Sequence, residues 1–453
     1  MAQPDRSLLA TLLANRHDEA AARATLLAAQ TRADALEPWL RAFIHRPDTY
    51  DVRSAVAHPL AGVPIGVKDL ADTADMPTGY GSPAYDGHRP ERDARIVSTI
   101  RALGGAIFGK TATTEFAWRG PAATVNPWNR AHTPGGSSSG SAAAVAAGIV
   151  PLAIGTQTVG SIIRPAAYCG VVGYKPSYRA VPSEGVHPLA ASLDHVGFFG
   201  RSVEDVAVAH ALFVEHAPHA VESESAWRGH FPRNTSALTL GVVRTPFWDE
   251  LVAPHQCENF EASLQTLAEG GARIVELDYG AADLPRMREA TLTILAVEAY
   301  RAIGDVAARA PALMSEHMRV LLSEGAAMPL ERYQQALLLQ AHVRSQSAAL
   351  MQGCDALVTL PASGEAPHGH ADTGDARFCA PWSLMGVPAV NVPSGWSEAN
   401  LPLGLQIVGA FGDDAKLLSA AARIESMLEF EPRAIVAGSA CAADDNNRSR
   451  RRT

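Results

Sequence analysis

Two stretches of this chain carry side chains suited to nucleophilic chemistry. They are Pro134-Gly135-Gly136-Ser137-Ser138-Ser139-Gly140-Ser141 and, further on, Gly155-Thr156-Gln157-Thr158-Val159-Gly160-Ser161. A serine hydroxyl is a weak nucleophile at neutral pH. It needs a base within reach and backbone N–H donors to hold an oxyanion. The backbone from Thr158 to Ser161 offers a row of such donors, and glycines at such turns let the chain approach a ligand closely. The competing reading of a Gly/Ser run is a flexible linker. Here an apolar, Ala-rich helix from Ala142 to Gly148 follows at once, and linkers do not sit inside regular structure.

The usual base is histidine. Of the 16 histidines only His132, His187 and His195 lie near the loops in sequence, and no local spacing recommends any of them. Lys68 is the better candidate. It ends the apolar run Val63-Pro64-Ile65-Gly66-Val67, where burial would disfavour the ammonium and make a neutral amine available as a base.

The surrounding elements must position these groups. Residues 7–44 read as one or two amphipathic helices, with Leu8, Leu9, Leu12 and Leu13 on one face. Val63, Ile65 and Val67 alternate as in a strand. A helix is expected over Asp93–Leu103, ending at Gly104-Gly105, and a short strand at Ala106–Lys110. A buried strand is expected at Ile149–Ile154. From about Ser202 the pattern turns mostly helical: a helix at Val203–Val214, strands at Leu238–Val243 and Ala272–Leu277, a helix at Cys257–Gly270, and several helices over 284–352, one at Tyr333–Met351. Strands return at Ala356–Leu360, Pro388–Pro393 and Leu403–Gly409. Alternating strands and helices define an α/β class.

Composition narrows the functional classes. The 453 residues are 47% hydrophobic, with a net charge of −9, so no basic footprint for nucleic acid is present. Five scattered cysteines, never in a C-x-x-C pair, argue against a disulfide framework and a zinc site. The sequence His368-Gly369-His370-Ala371-Asp372 reads as a loop beside Gly and Pro, with no metal expected. No secretory segment or bilayer-length apolar run is visible, which predicts a cytoplasmic protein without membrane contact.

The blocks Ala61–Asp69, Pro134–Gly148 and Gly155–Ser161, then Ser192-Leu193-Asp194 with Gly200–Asp205, then Pro388-Ala389-Val390 with Leu401–Gly409, resemble the amidase signature family of serine hydrolases in the family's order. The resemblance implies that family's α/β fold: a central mixed twisted sheet covered by helices on both faces, with a mostly helical smaller region. It implies one domain over 1–440, with a helical N-terminal segment 1–50, a catalytic core 58–205, a helix-rich region 206–352 and C-terminal core strands 353–430. A disordered tail is expected at 441–453.

Carried over residue by residue, the resemblance implies a Ser–cis-Ser–Lys triad: Ser161 as nucleophile, Ser137 as bridging serine after a cis peptide, and Lys68 as base. Backbone N–H groups from Thr158, Val159, Gly160 and Ser161 would form the oxyanion hole. Ser138 would join the network or cap the following helix. The implied activity is cofactor-independent hydrolysis of a carboxylic amide or ureide-type C–N bond in a small-molecule substrate, through an acyl-enzyme. One alternative is the A-type subunit of a glutamine-dependent aminoacyl-tRNA amidotransferase. Another is a non-catalytic assembly subunit, against which the retention of all three triad residues argues. A homodimer stays open, as does a small accessory subunit. The chain departs from the common family form at Gln157 (Asp), Val159 (Gly) and Ile163 (Arg), with Arg164 one place later and given no carboxylate-binding role. Trp118, Phe378 and Trp382 lie in segments expected to approach the site.

Overall fold

The computed structural model describes residues 7–231, 237–277, 283–433 and 435. The tail expected at 441–453, Cys441 included, lies outside the described residues. Eleven strands form one mixed sheet: β1 (Phe43–His45), β2 (Pro64–Lys68), β3 (Ala106–Thr111), β4 (Leu152–Gln157), β5 (Val172–Lys175), β6 (His195–Gly200), β7 (Thr239–Val242), β8 (Arg273–Glu276), β9 (Ala356–Thr359), β10 (Ala389–Trp396) and β11 (Pro402–Val408). Their order across the sheet is β1-β3-β2-β4-β6-β5-β10-β11-β9-β7-β8. β2 runs parallel to β3 and β4, and β7 parallel to β8 and β9, while the joining strands are antiparallel. Helices cover both faces, as expected for this fold class.

Period-two alternation places the side chains. Ile65 and Val67 of β2 and Leu152 and Ile154 of β4 enter one core, with the helices Leu8–Asn15, Arg95–Ala102, Val203–Phe213 and Asp414–Leu428. The opposite face over β2, β3 and β4 is covered by Glu19–Leu40 and Ser139–Ala146. Gly66 and Lys68 have the other parity from Ile65 and Val67, so Lys68 is directed toward the serine-bearing helix. The other half of that face carries Asp283–Arg309, Glu316–Ala327, Leu330–Ser345 and Ala380–Met385.

Several boundaries depart from expectation. The first helical stretch is two helices followed by a three-residue edge strand, β1, too short to show alternation. The strand expected at Ile149–Ile154 begins at Leu152 and runs through Gln157, so the second serine loop is half strand. The helix expected at Tyr333–Met351 is divided into Leu330–Ser345 and Ser347–Leu350.

The Ser139–Ala146 helix begins inside the serine run and packs directly on the end of β3. Gly140 N–H donates to Ala112 O at 3.0 Å. A Cβ on Gly140 would stand 2.1 Å from Ala42 O and 2.4 Å from Ala112 N. Gly140→Ala should therefore cost about 3 kcal/mol or more, because backbone cannot move aside as a flexible side chain can. Gly229→Ala, in the helix Glu224–His230 with open space around it, should be neutral or stabilising by about 1 kcal/mol or less. Denaturant melts of the two variants check both values.

Candidate active site

The site lies beyond the carboxyl ends of the parallel strands β2 and β4, the usual crevice of such sheets. Lys68 is the last residue of β2 and has no exposed surface. Its Nζ lies 2.7 Å from Ser137 Oγ, 2.9 Å from Ser138 Oγ, 2.8 Å from Thr156 Oγ1 and 3.4 Å from Thr156 O. All four are neutral oxygens. Burial holds the amine well below the ordinary lysine range, with the Asp194 carboxylate opposing at longer range. Ser138 donates to Thr156 O at 3.2 Å, so toward Lys68 it is an acceptor. Ser137 Oγ has no other hydrogen-bond partner among the described residues, which leaves its proton for the amine lone pair.

Ser138 makes no helix-capping hydrogen bond, so its side chain belongs to the lysine network. Gly155 makes room for it: a Cβ there would stand 2.9 Å from Ser138 Oγ. The remaining serines are also committed. Ser139 Oγ donates to Gly135 O at 2.7 Å, and Ser141 Oγ bonds Ile154 O at 2.8 Å. This is close-packed structure, which excludes the linker reading. The Gly136–Ser137 peptide bond is cis.

Ser161 and Ser137 line the same cavity, of 410 Å³, with Thr158, Val159 and Gly160. Ser161 Oγ makes no hydrogen bond among the described residues, to Ser137 or any other group; sites without substrate are often loose in this way. The backbone N–H groups of Thr158, Val159, Gly160 and Ser161 also have no acceptor among the described residues. The next two, of Ile162 and Ile163, donate to Gln157 Oε1 at 2.8 and 3.0 Å. Gln157 Nε2 in turn donates to Ser383 Oγ at 3.0 Å, and Ser383 donates to Val159 O at 2.6 Å. A neutral amide both accepts and donates, which a carboxylate in its place would not do. Val159 has an ordinary negative φ, so no glycine is required there. Thr158 is tied to Asp194 at 2.6 Å; burial pushes that carboxyl up to about 6.

Arg164 replaces nothing lost at Ile163, whose side chain is fully buried. Its guanidinium donates to Gly374 O at 2.7 Å, Gly136 O at 2.6 Å and Thr373 Oγ1 at 3.2 Å. It ties the nucleophile-bearing helix Ile163–Cys169 to the residue before Ser137 and to the C-terminal loop.

The histidines stand apart. His195 is buried in β6 with Nδ1 donating to Leu193 O at 2.6 Å. His187 packs on Tyr80 and Phe116, and His132 lies edge-on to His368. His370 Nε2 lies 2.9 Å from Arg130 O. Trp118 lines the cavity as expected. Phe378 and Trp382 do not: both are fully buried, Phe378 against Phe247 and Trp248, where a core needs large apolar volume. Thr156, Arg119, Arg288 and the Thr373-Gly374 carbonyl clamp were not anticipated, and no local pattern in the sequence marks them.

Comparison with known proteins agrees with this geometry. The family model described as Amidase matches residues 21–418. The A-type subunit of glutamyl-tRNA(Gln) amidotransferase from Synechococcus sp. (strain CC9605) is 31% identical, covering 87% of this chain and 90% of that one. A solved amidase structure is 28% identical with a TM-score of 0.79, covering 93% of this chain and 99% of its own. The peptide amidase PAM, in complex with the competitive inhibitor chymostatin, is 26% identical with a TM-score of 0.79, covering 96% and 99%. The chain belongs to the amidase signature family. It is an enzyme of the amidase type, a hydrolase of C–N bonds.

Arg164 is a positioning residue in this arrangement. Arg164→Leu should slow labelling of Ser161 by a serine-directed phosphonate by about 10²-fold, since small misplacements near reacting groups cost that much. It should also destabilise by about 3 kcal/mol, leaving buried carbonyls unpaired. Arg164→Lys should restore part of both. Labelling rates and thermal melts measure the two effects.

Proposed function

We propose that this enzyme hydrolyses a carboxylic amide or ureide-type C–N bond through a Ser161 acyl-enzyme. The observation that carries the reading is the buried Lys68 amine 2.7 Å from Ser137 Oγ in the cavity that also presents Ser161. Neutral Lys68 takes the proton of Ser137 as Ser137 takes that of Ser161. Ser161 Oγ attacks the carbonyl carbon, and the oxyanion is received by the unpaired N–H groups of Thr158 to Ser161. Ser137 returns a proton to the leaving nitrogen, which departs as ammonia or an amine. Water then attacks the acyl-enzyme by the same relay and releases the acid. No cofactor is required for any of these steps.

A second reading is favoured by the relatives named as the A-type subunit of glutamyl-tRNA(Gln) amidotransferase. In it the amide is that of glutamine, partner subunits are required, and the ammonia passes to an aminoacyl-tRNA. The acyl-enzyme half of the chemistry is common to both. Ammonia release from simple amides by the chain alone supports the amidase. Release from L-glutamine alone, and only with partner subunits and tRNA present, supports the transferase.

Ser161→Ala should abolish acyl-enzyme formation. Mass spectrometry after exposure to a slow amide or a phosphonate should place the adduct on Ser161 in the wild type. An adduct on another residue overturns the assignment. Lys68→Ala should lower turnover by about 10³-fold or more. Because burial depresses the Lys68 pKa, its base form is lost as pH falls through that depressed value. Wild-type kcat/KM should therefore fall on the acid side, and a Lys68 variant with measurable activity should lack that limb.

A further inference from the structure

We propose that the substrate amide carries a carboxylate, held at the mouth of the Ser161 cavity by Arg119 and Arg288. This rests on the amidase reading above and specifies its substrate class. Four arginines and two aspartates line the cavity, in a chain whose net charge is −9. Most of these charges are already committed. Arg164 is engaged by the carbonyls of Gly136 and Gly374. Arg377 Nε lies 2.6 Å from Asp375, and its Nη1 lies 3.8 Å from Glu250. Asp372 accepts from Gly374 N–H.

Arg119 and Arg288 differ. Neither has a hydrogen bond or a carboxylate partner among the described residues. Arg119 follows β3, with its guanidinium 5.0 Å from the Trp118 ring centroid. Arg288 comes from the Asp283–Arg309 helix, remote in sequence. Two elements thus converge on one cavity and each contributes an uncommitted guanidinium. Scattered surface charges would not gather around the nucleophile in an acidic protein. A guanidinium fork matches a carboxylate in shape and charge, and a cleft of one sign concentrates ligands of the other. The fully buried Ile163 leaves the serine loop no cation of its own to do this.

The test uses ω-carboxy amides of increasing chain length and their methyl esters, with binding measured calorimetrically on the Ser161→Ala protein. The best carboxylate should bind roughly tenfold tighter than its ester, the scale of one charge-assisted contact. The difference should shrink at high ionic strength. Arg119→Gln and Arg288→Gln should each narrow it, and the double variant should remove it. Equal affinity of acid and ester, no binding of any carboxylate, or a preference untouched by both substitutions overturns the proposal. Turnover of the same series by wild-type enzyme is a separate arm. Failure there, with the binding preference intact, counts against the hydrolytic reading and leaves the anion site standing.

Discussion

A lysine amine without a counter-ion, sealed beneath a helix start, is the constraint on which the rest of the structure depends. Lys68 touches two serine hydroxyls, a threonine hydroxyl and a carbonyl, and no carboxylate. Removing an ammonium from water without a partner costs several kcal/mol, so the group gives up its proton instead. The adjacent strand offers a contrast. Lys110 is equally buried but lies 3.1 Å from Asp69, whose charge opposes the downward push of burial. Two lysines one strand apart thus have different chemistry. One is an element of an internal ion pair, the other a neutral amine facing a cavity.

Keeping that amine neutral and useful requires the serines to be rigid. The Gly/Ser run supplies small side chains and close backbone contacts, so each hydroxyl has one assigned partner. Gly140 brings the helix onto β3, and Gly155 admits Ser138. Gln157, Ser383 and Arg164 then join the second loop to the C-terminal strands and the first loop. The departures at Gln157 and Ile163 belong to this bracing. They change how the loop is held, and leave its four outward N–H groups free.

The curated relatives and the solved amidases share the acyl-enzyme chemistry and differ in where the nitrogen goes. The positions that separate such fates lie at the cavity rim, on the loop after β3, the Asp283–Arg309 helix and residues 372–377. These segments are far apart in sequence and vary in ways that a local motif does not encode.

The sequence by itself determined the class of fold, the serine loops and Lys68. Alternation over Val63, Ile65 and Val67 dictates which face each side chain takes, and that reading holds because strand geometry is local. Five blocks in order carry the family because backbone-critical glycines and serines cannot be exchanged freely. Only the tertiary structure decided the rest. β1, β5 and β6 are short and buried by neighbours, so periodicity says little about them. Phe378 and Trp382 are as aromatic as Trp118, yet packing sends two into the core and one to the cavity. Arg164, Arg119 and Arg288 look alike in the chain. One is bound by carbonyls and two stand open at the rim, because hydrogen-bond partners come from segments that meet only on folding.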